Sequence, residues 1–226
     1  MSTDPNIYRY EDGPVSENVL RGDPALVAAL EAHITAHYGP DSTVWQHPEM
    51  TSPVHIRIVP PTEARPVITL ITVGMSEHPM LAGEEELSSE LVAVLPPDWS
   101  FDDPCDTWPL LALDLLANFP HEYSTLFGPG HTIQNPFPWT PSGLIATLVA
   151  QQLLAPSDAA ELLVHEGREI NLYAAYFLYE DEMQFKLEHG VDALWERLMD
   201  AGVTEAVDLR RASVAPRRRR GLFRRK

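Results

Sequence analysis

A single cysteine, Cys105, is the only thiol in 226 residues, so no intramolecular disulfide and no CxxC metal knuckle can form. No apolar run approaches the roughly 18 residues that cross a bilayer. Residues 1–20 have neither the basic start nor the apolar stretch of a secretory leader, and a cytoplasmic location is expected. Phosphate-cradling glycine loops are missing too: Gly128-Pro129-Gly130-His131 is short, lacks a Walker lysine and reads as a turn. Basic residues are scarce over most of the chain. Lys and Arg number 16 against 33 Asp and Glu, and nine of the 16 fall between Arg210 and Lys226, leaving seven basic and 33 acidic side chains before them, a balance of −26. A body so charged repels nucleic acid and anionic lipid, and it draws in basic proteins through long-range complementarity.

What is present suits a packed domain. With 44% hydrophobic and 22% charged residues, the composition argues against wholesale disorder and coiled coil. The expected organisation is an N-terminal extension over 1–22, one domain over 23–214 and a basic, disordered tail over 215–226. Sixteen of the 21 prolines lie between Pro40 and Pro141, so the middle is expected to be cut into short strands and loops. No proline occurs from Ser157 to Ala215, where longer elements belong.

Asp23-Pro24 is a cap and first-turn proline, and Leu26, Leu30, Ile34 and Tyr38 follow at helical spacing, predicting a helix over 24–38. Residues 55–59 alternate and 67–73 are β-branched, predicting neighbouring strands; Glu90–Leu95 is a third. A helix capped by Thr107 is expected to end before Pro120. Residues 144–154 are apolar all round, which fits a buried helix or a buried strand alike. Residues 170–179 read as a central strand ended by a solvated Glu180-Asp181-Glu182 turn, with Glu180 and Glu182 on one face if the backbone there is extended. A late amphipathic helix follows over Val191–Met199, closed by Gly202.

Each chemically suggestive group has a plainer explanation. Gly74-Met75-Ser76-Glu77-His78 resembles a nucleophile elbow, but Pro79 and an acidic stretch follow where a helix is required. His33 and His37 sit one helical turn apart without an indicated third ligand, so no metal is expected. Glu180 or Glu182 with His131 or Ser76 could form an acid and base pair, the enzymatic alternative; a solvated turn explains the carboxylates as well. The five tryptophans lack basic neighbours and read as core or groove lining. The tail, Pro216-Arg-Arg-Arg-Arg-Gly-Leu-Phe-Arg-Arg-Lys226, could reach anionic lipid, nucleic acid or the acidic body itself, with Leu222 and Phe223 as shallow anchors.

Six fragments in order carry a resemblance: Ile68–Ser76, Glu90–Leu91–Val92 running into Leu95-Pro-Pro-Asp-Trp99, the Trp108-Pro-Leu-Leu helix, Gly128–Thr132, Tyr179–Met183 leading to Gly190, and Asp208–Arg211. Together they are similar to the suppressor of fused domain family, over roughly residues 25–214. The resemblance implies an α+β fold, a twisted, mixed and largely antiparallel sheet with helices packed against it, and a non-enzymatic role in binding another protein, with no cofactor. Animal members take an extended peptide into their sheet and have a second, C-terminal domain, which is not expected in this chain. Compact bacterial members are proposed to be immunity proteins against toxin domains. A basic toxin is therefore the expected partner, met by a groove near Ser76, Trp99, His131, Glu180 and Glu182, or by an open sheet edge along 67–73 or 90–95.

Overall fold

The structure, a computed structural model, describes residues 20–48, 53–82, 85–156 and 163–216. Residues 1–19 of the N-terminal extension, Glu84, and residues 217–226 of the basic tail lie outside the described residues. In chain order the elements are α1 (Pro24–His37), β1 (Thr43–Trp45), β2 (His55–Val59), β3 (Ile68–Val73), β4 (Met80–Ala82), β5 (Glu85–Leu95), α2 (Trp108–Glu122), β6 (Thr132–Gln134), β7 (Leu144–Ala150), β8 (Leu163–His165), β9 (Arg168–Tyr179), α3 (Glu180–His189) and α4 (Val191–Asp200). The fold is α+β, with one mixed sheet and helices on both its faces.

The nine-stranded sheet runs β1-β2-β3-β5-β9-β7-β6, with β4 added to β5 and β8 to β9. Every pairing is antiparallel except β5 with β9, where Ser88 faces Ile170 and Val92 faces Ala174. A parallel neighbour requires a long crossover, and here α2, β6, β7 and β8 supply it. The expectation of an open edge along 67–73 or 90–95 is corrected by this order: β3 lies between β2 and β5, and β5 between β3 and β9. All six residues of β3 are buried, as befits a strand covered on both faces. The edges of the path are the three-residue strands β1 and β6.

Side-chain alternation sorts the core into layers. Leu91, Ala93 and Leu95 of β5 and Tyr173, Ala175 and Phe177 of β9 face α2 through Leu110, Leu113 and Leu116. Val92, Val94 and Ile170 face α1 through Leu26, Leu30 and Ile34. Ala174, Tyr176 and Leu178 continue that second face under Met183, Leu194 and Leu198 of the α3–α4 hairpin. Gly190, at φ 91°, makes the turn between these two helices in a conformation that suits glycine.

Three sequence expectations resolve or change. The ambiguous apolar run 144–154 is strand over Leu144–Ala150. The helix expected to stop before Pro120 continues to Glu122, because a proline in the last turn deletes one amide and little helix remains beyond it to disrupt. Glu180-Asp181-Glu182 is not a solvated turn: it is the first turn of α3, where carboxylates meet the positive end of the helix dipole. Glu180 and Glu182 therefore do not share an extended face; Glu180 is exposed and Glu182 is buried.

Candidate functional site

Where β3 ends, its backbone leaves the ladder with β5, whose last registered partner is Val92 opposite Ile71. The amides released there need acceptors. Glu90 of β5 supplies them. Its carboxylate, fully buried, accepts the hydroxyl protons of Thr72 and Ser76 at 2.7 Å each and the N–H groups of Gly74 and Ser76 at 3.0 Å and Met75 at 3.3 Å. Gly74 turns the chain at φ 114° so that these amides converge. Burial pushes the Glu90 carboxyl above its ordinary value, and the Thr72 and Ser76 donors oppose that rise.

The same loop is braced from outside. His121 of α2 lies 2.8 Å from the Met75 carbonyl, and burial holds its imidazole below the ordinary histidine value. Arg168 donates to the carbonyls of Ser76 and Glu77, and the Glu77 carboxylate accepts the N–H of Gly22 at 2.7 Å. Ser76 is thus a buried structural donor to Glu90, and the elbow-like Gly74–His78 motif is a capped 3₁₀ turn.

Trp99, Glu180 and Glu182 lie at the opposite end of these strands, beyond Leu95 and Tyr179. Trp99 is half-buried, its indole N–H on the Asp106 carbonyl at 3.0 Å. It meets Trp108 edge-on, and Trp108 contacts Phe177 at 4.7 Å between ring centroids. Behind this cluster, Glu182 accepts from the Tyr179 and Val214 N–H groups at 2.9 Å and from both terminal nitrogens of Arg211 at 2.5 and 2.7 Å. Arg211 also donates to the Phe177 carbonyl and stacks 4.7 Å from the Tyr179 ring.

A strap over residues 203–215 is fastened by this ion pair at one end. At the other, buried Glu205 accepts the N–H groups of Leu153 and Leu154 and the Tyr176 hydroxyl. Between them the Val207 N–H reaches the Val94 carbonyl. The strap borders a small, partly open cleft of about 10 Å³ against Tyr176, Phe177 and Leu178, room for one water molecule. Its outer side and the end of α4 form an open groove lined by Arg197, Asp200, Ala201, Val203, Ala212 and Val214, among others.

His131 is exposed in the turn before β6, with Nδ1 accepting the Gly128 N–H, and the adjacent Thr132 hydroxyl accepts from Lys186 of α3. Ser76 therefore sits at one end of the sheet, Trp99, Glu180 and Glu182 at the other, and His131 beside edge strand β6. Sequence reading missed Glu90, Glu205 and the ion-pair role of Arg211. The available signal was a carboxylate heading the otherwise apolar run Glu90–Leu95, the second half of β5, where only a buried donor cluster makes such a residue tolerable.

Electrostatically, the surface belongs to the acids. Glu180, Asp181, Glu188, Asp192, Glu196 and Asp200 are all exposed on α3 and α4. Five cations among the described residues have local contacts: Arg57 with Glu31, Arg65 over Tyr38, Arg168 with carbonyls, Lys186 on the Thr132 hydroxyl and Arg197 over Phe185. Among the described residues no group of three or more His, Cys, Asp or Glu is arranged to hold a metal, and no helix is long and apolar enough to cross a membrane.

The suppressor of fused protein (SUFU) family model matches residues 50–212. The chain belongs to the suppressor of fused family. The fold agrees. A SUFU homologue of Neisseria gonorrhoeae FA 1090 superposes with a TM-score of 0.62 at 16% identity, covering 84% of this chain and 97% of that one. A chain of the Sufu–Fu complex gives 0.61 at 17% identity, over 85% and 93%. Drosophila Suppressor of Fused gives 0.62 at 16% identity over 86% of this chain and 54% of its own, so the chain spans about half of that protein's length. No curated protein matches in sequence.

Proposed function

We propose that this suppressor of fused family member is a non-enzymatic protein-binding domain whose partner is a basic polypeptide, in the manner of an immunity protein that neutralises a toxin. The observation that carries the reading is the charge: −26 over residues 1–209, with six carboxylates exposed on α3 and α4. A toxin nuclease must hold phosphate, so its substrate site is basic, and an acidic surface both steers the encounter and occupies that site. The Sufu–Fu complex supports the general role, since there a protein of this fold is found with another protein.

Contact falls to Trp99, His131 and Glu180, which reach the surface, and support to Ser76 and Glu182, which hold the Gly74–His78 loop and the strap from beneath. The test uses the product of an adjacent gene as the partner, by stopped-flow mixing at several salt concentrations. Glu180→Gln, Asp181→Asn and Glu188→Gln combined should slow association about tenfold at low salt and flatten its salt dependence. An unchanged rate and slope would refute acidic steering. Co-expression that fails to protect cells from a toxic neighbour would remove the immunity role.

A further inference from the structure

We propose that the groove beside α4 is the docking site of the chain's own basic tail, residues 217–226. The strap delivers the tail there. Val214 is fixed by its N–H on Glu182 and by Arg197 on its carbonyl, and it lines the groove two residues before Pro216, the last described position. From that point six extended residues reach about 20 Å, longer than the roughly 15 Å axis of a ten-residue helix such as α4. Every exposed carboxylate along α4 is within range.

The chemistry matches on two counts. Asp192, Glu196 and Asp200 recur every fourth residue and so form one exposed acidic face, with Asp200 at the groove wall. The tail offers seven basic residues and no acid after Pro216. Next to that face the groove has an apolar lining of Ala201, Val203 and Val214, and the tail carries Leu222 and Phe223 between its two basic blocks. Of the two arginines in the lining, Arg211 is neutralised by Glu182, and the single charge of Arg197 is outnumbered by Asp192, Glu196 and Asp200 on the same helix. A tail seated there would compete with a basic partner for the same carboxylates, which deepens the binding proposal without depending on it.

Lys226 makes the test direct, since Lys186 is the only other lysine in the sequence. Full-length protein, dilute and in low salt, is treated with a carbodiimide that joins amines to carboxylates at contact distance, and the monomer fraction is digested and sequenced by mass spectrometry. Lys226 should join Asp192, Glu196 or Asp200 in preference to other acids, and the yield should collapse in 0.5 M NaCl, where the screening length is about 4 Å. The pair Glu196→Gln and Asp200→Asn, both at exposed positions and adding no new amine, should lower the remaining Lys226–Asp192 product about fivefold while the thermal midpoint holds. Links spread evenly over the acidic surface, links confined to dimers, or no Lys226 links at all would each overturn the proposal. None of these outcomes involves a partner protein, so tail docking and partner binding fail independently.

Discussion

Two fully buried carboxylates brace the central strands, Glu90 from the middle of β5 and Glu182 from the first turn of α3 just beyond β9, and they are kept there by different means. Glu90 has five donors, all neutral hydroxyls or backbone amides. Glu182 has four, and two belong to the guanidinium of Arg211. A charge met only by dipoles remains a net charge in the core and keeps its desolvation cost, whereas a paired one is neutralised but depends on a single partner. The Glu90 end is thus tied into the loop that closes β3, and the Glu182 end clamps a strap arriving from far along the chain. The first is an internal cap; the second is a fastening.

Removing each carboxylate's support should expose that difference. Glu90→Ala leaves three loop amides and two hydroxyls without their acceptor and opens a void beneath Gly74–Ser76, and it is the most damaging substitution expected here. With each buried orphan costing on the order of 1–3 kcal/mol and partial relaxation allowed, the loss should be about 5 kcal/mol, read as a fall in the urea midpoint at constant slope. A loss below about 2 kcal/mol would mean that water substitutes for the carboxylate and that the loop is not built around it.

How much of this was legible beforehand divides along physical lines. Strands β2, β3 and β9 and helices α1 and α4 were readable because alternation and helical spacing are local. The family, and with it the α+β class, was readable from six short fragments in order. Strand order was not: that β5 runs parallel to β9, and so cannot be an edge, depends on a partner more than 70 residues away. Nor was the fate of Glu182. A carboxylate in an acidic triplet looks solvated unless Arg211, 29 residues on, is known to reach it. The proposed contact residues were individually plausible and spatially divided, because spacing along a chain does not reveal which end of a strand a loop occupies.

The strap gives the next prediction down in size. Arg211→Met removes the charge that neutralises Glu182 and leaves a fully buried carboxylate unpaired, for a loss of about 3 to 4 kcal/mol. Arg211→Lys keeps the charge and gives up the two-pronged geometry, for about 1 to 2 kcal/mol. Hydrogen exchange should then show the amides of Val207 and Val214 opening together in both variants, with those of Gly74–Ser76 unaffected. If Arg211→Lys were as costly as Arg211→Met, the pair would be held by shape and not by charge.

The Glu90 end can also be read by pH alone, through a change in slope instead of a single loss. Burial raises Glu90 above its ordinary value of 4.5, so between 4.5 and its folded value the native state binds more protons than the unfolded chain. Its contribution is complete below pH 4.5 and is lost as pH rises through the folded value, at a slope of at most about 1.4 kcal/mol per pH unit. His121, held below its ordinary 6.5, acts in the opposite direction: there the unfolded chain binds the extra proton, and stability falls as pH drops below 6.5. Growing self-repulsion among the surface acids adds a background common to every variant. The difference between wild type and Glu90→Gln, measured by urea titration from pH 4.5 to 8, removes both of those contributions. That difference should narrow as pH rises. A difference that stays flat or widens over that range would end the account of Glu90 as a carboxyl raised by burial.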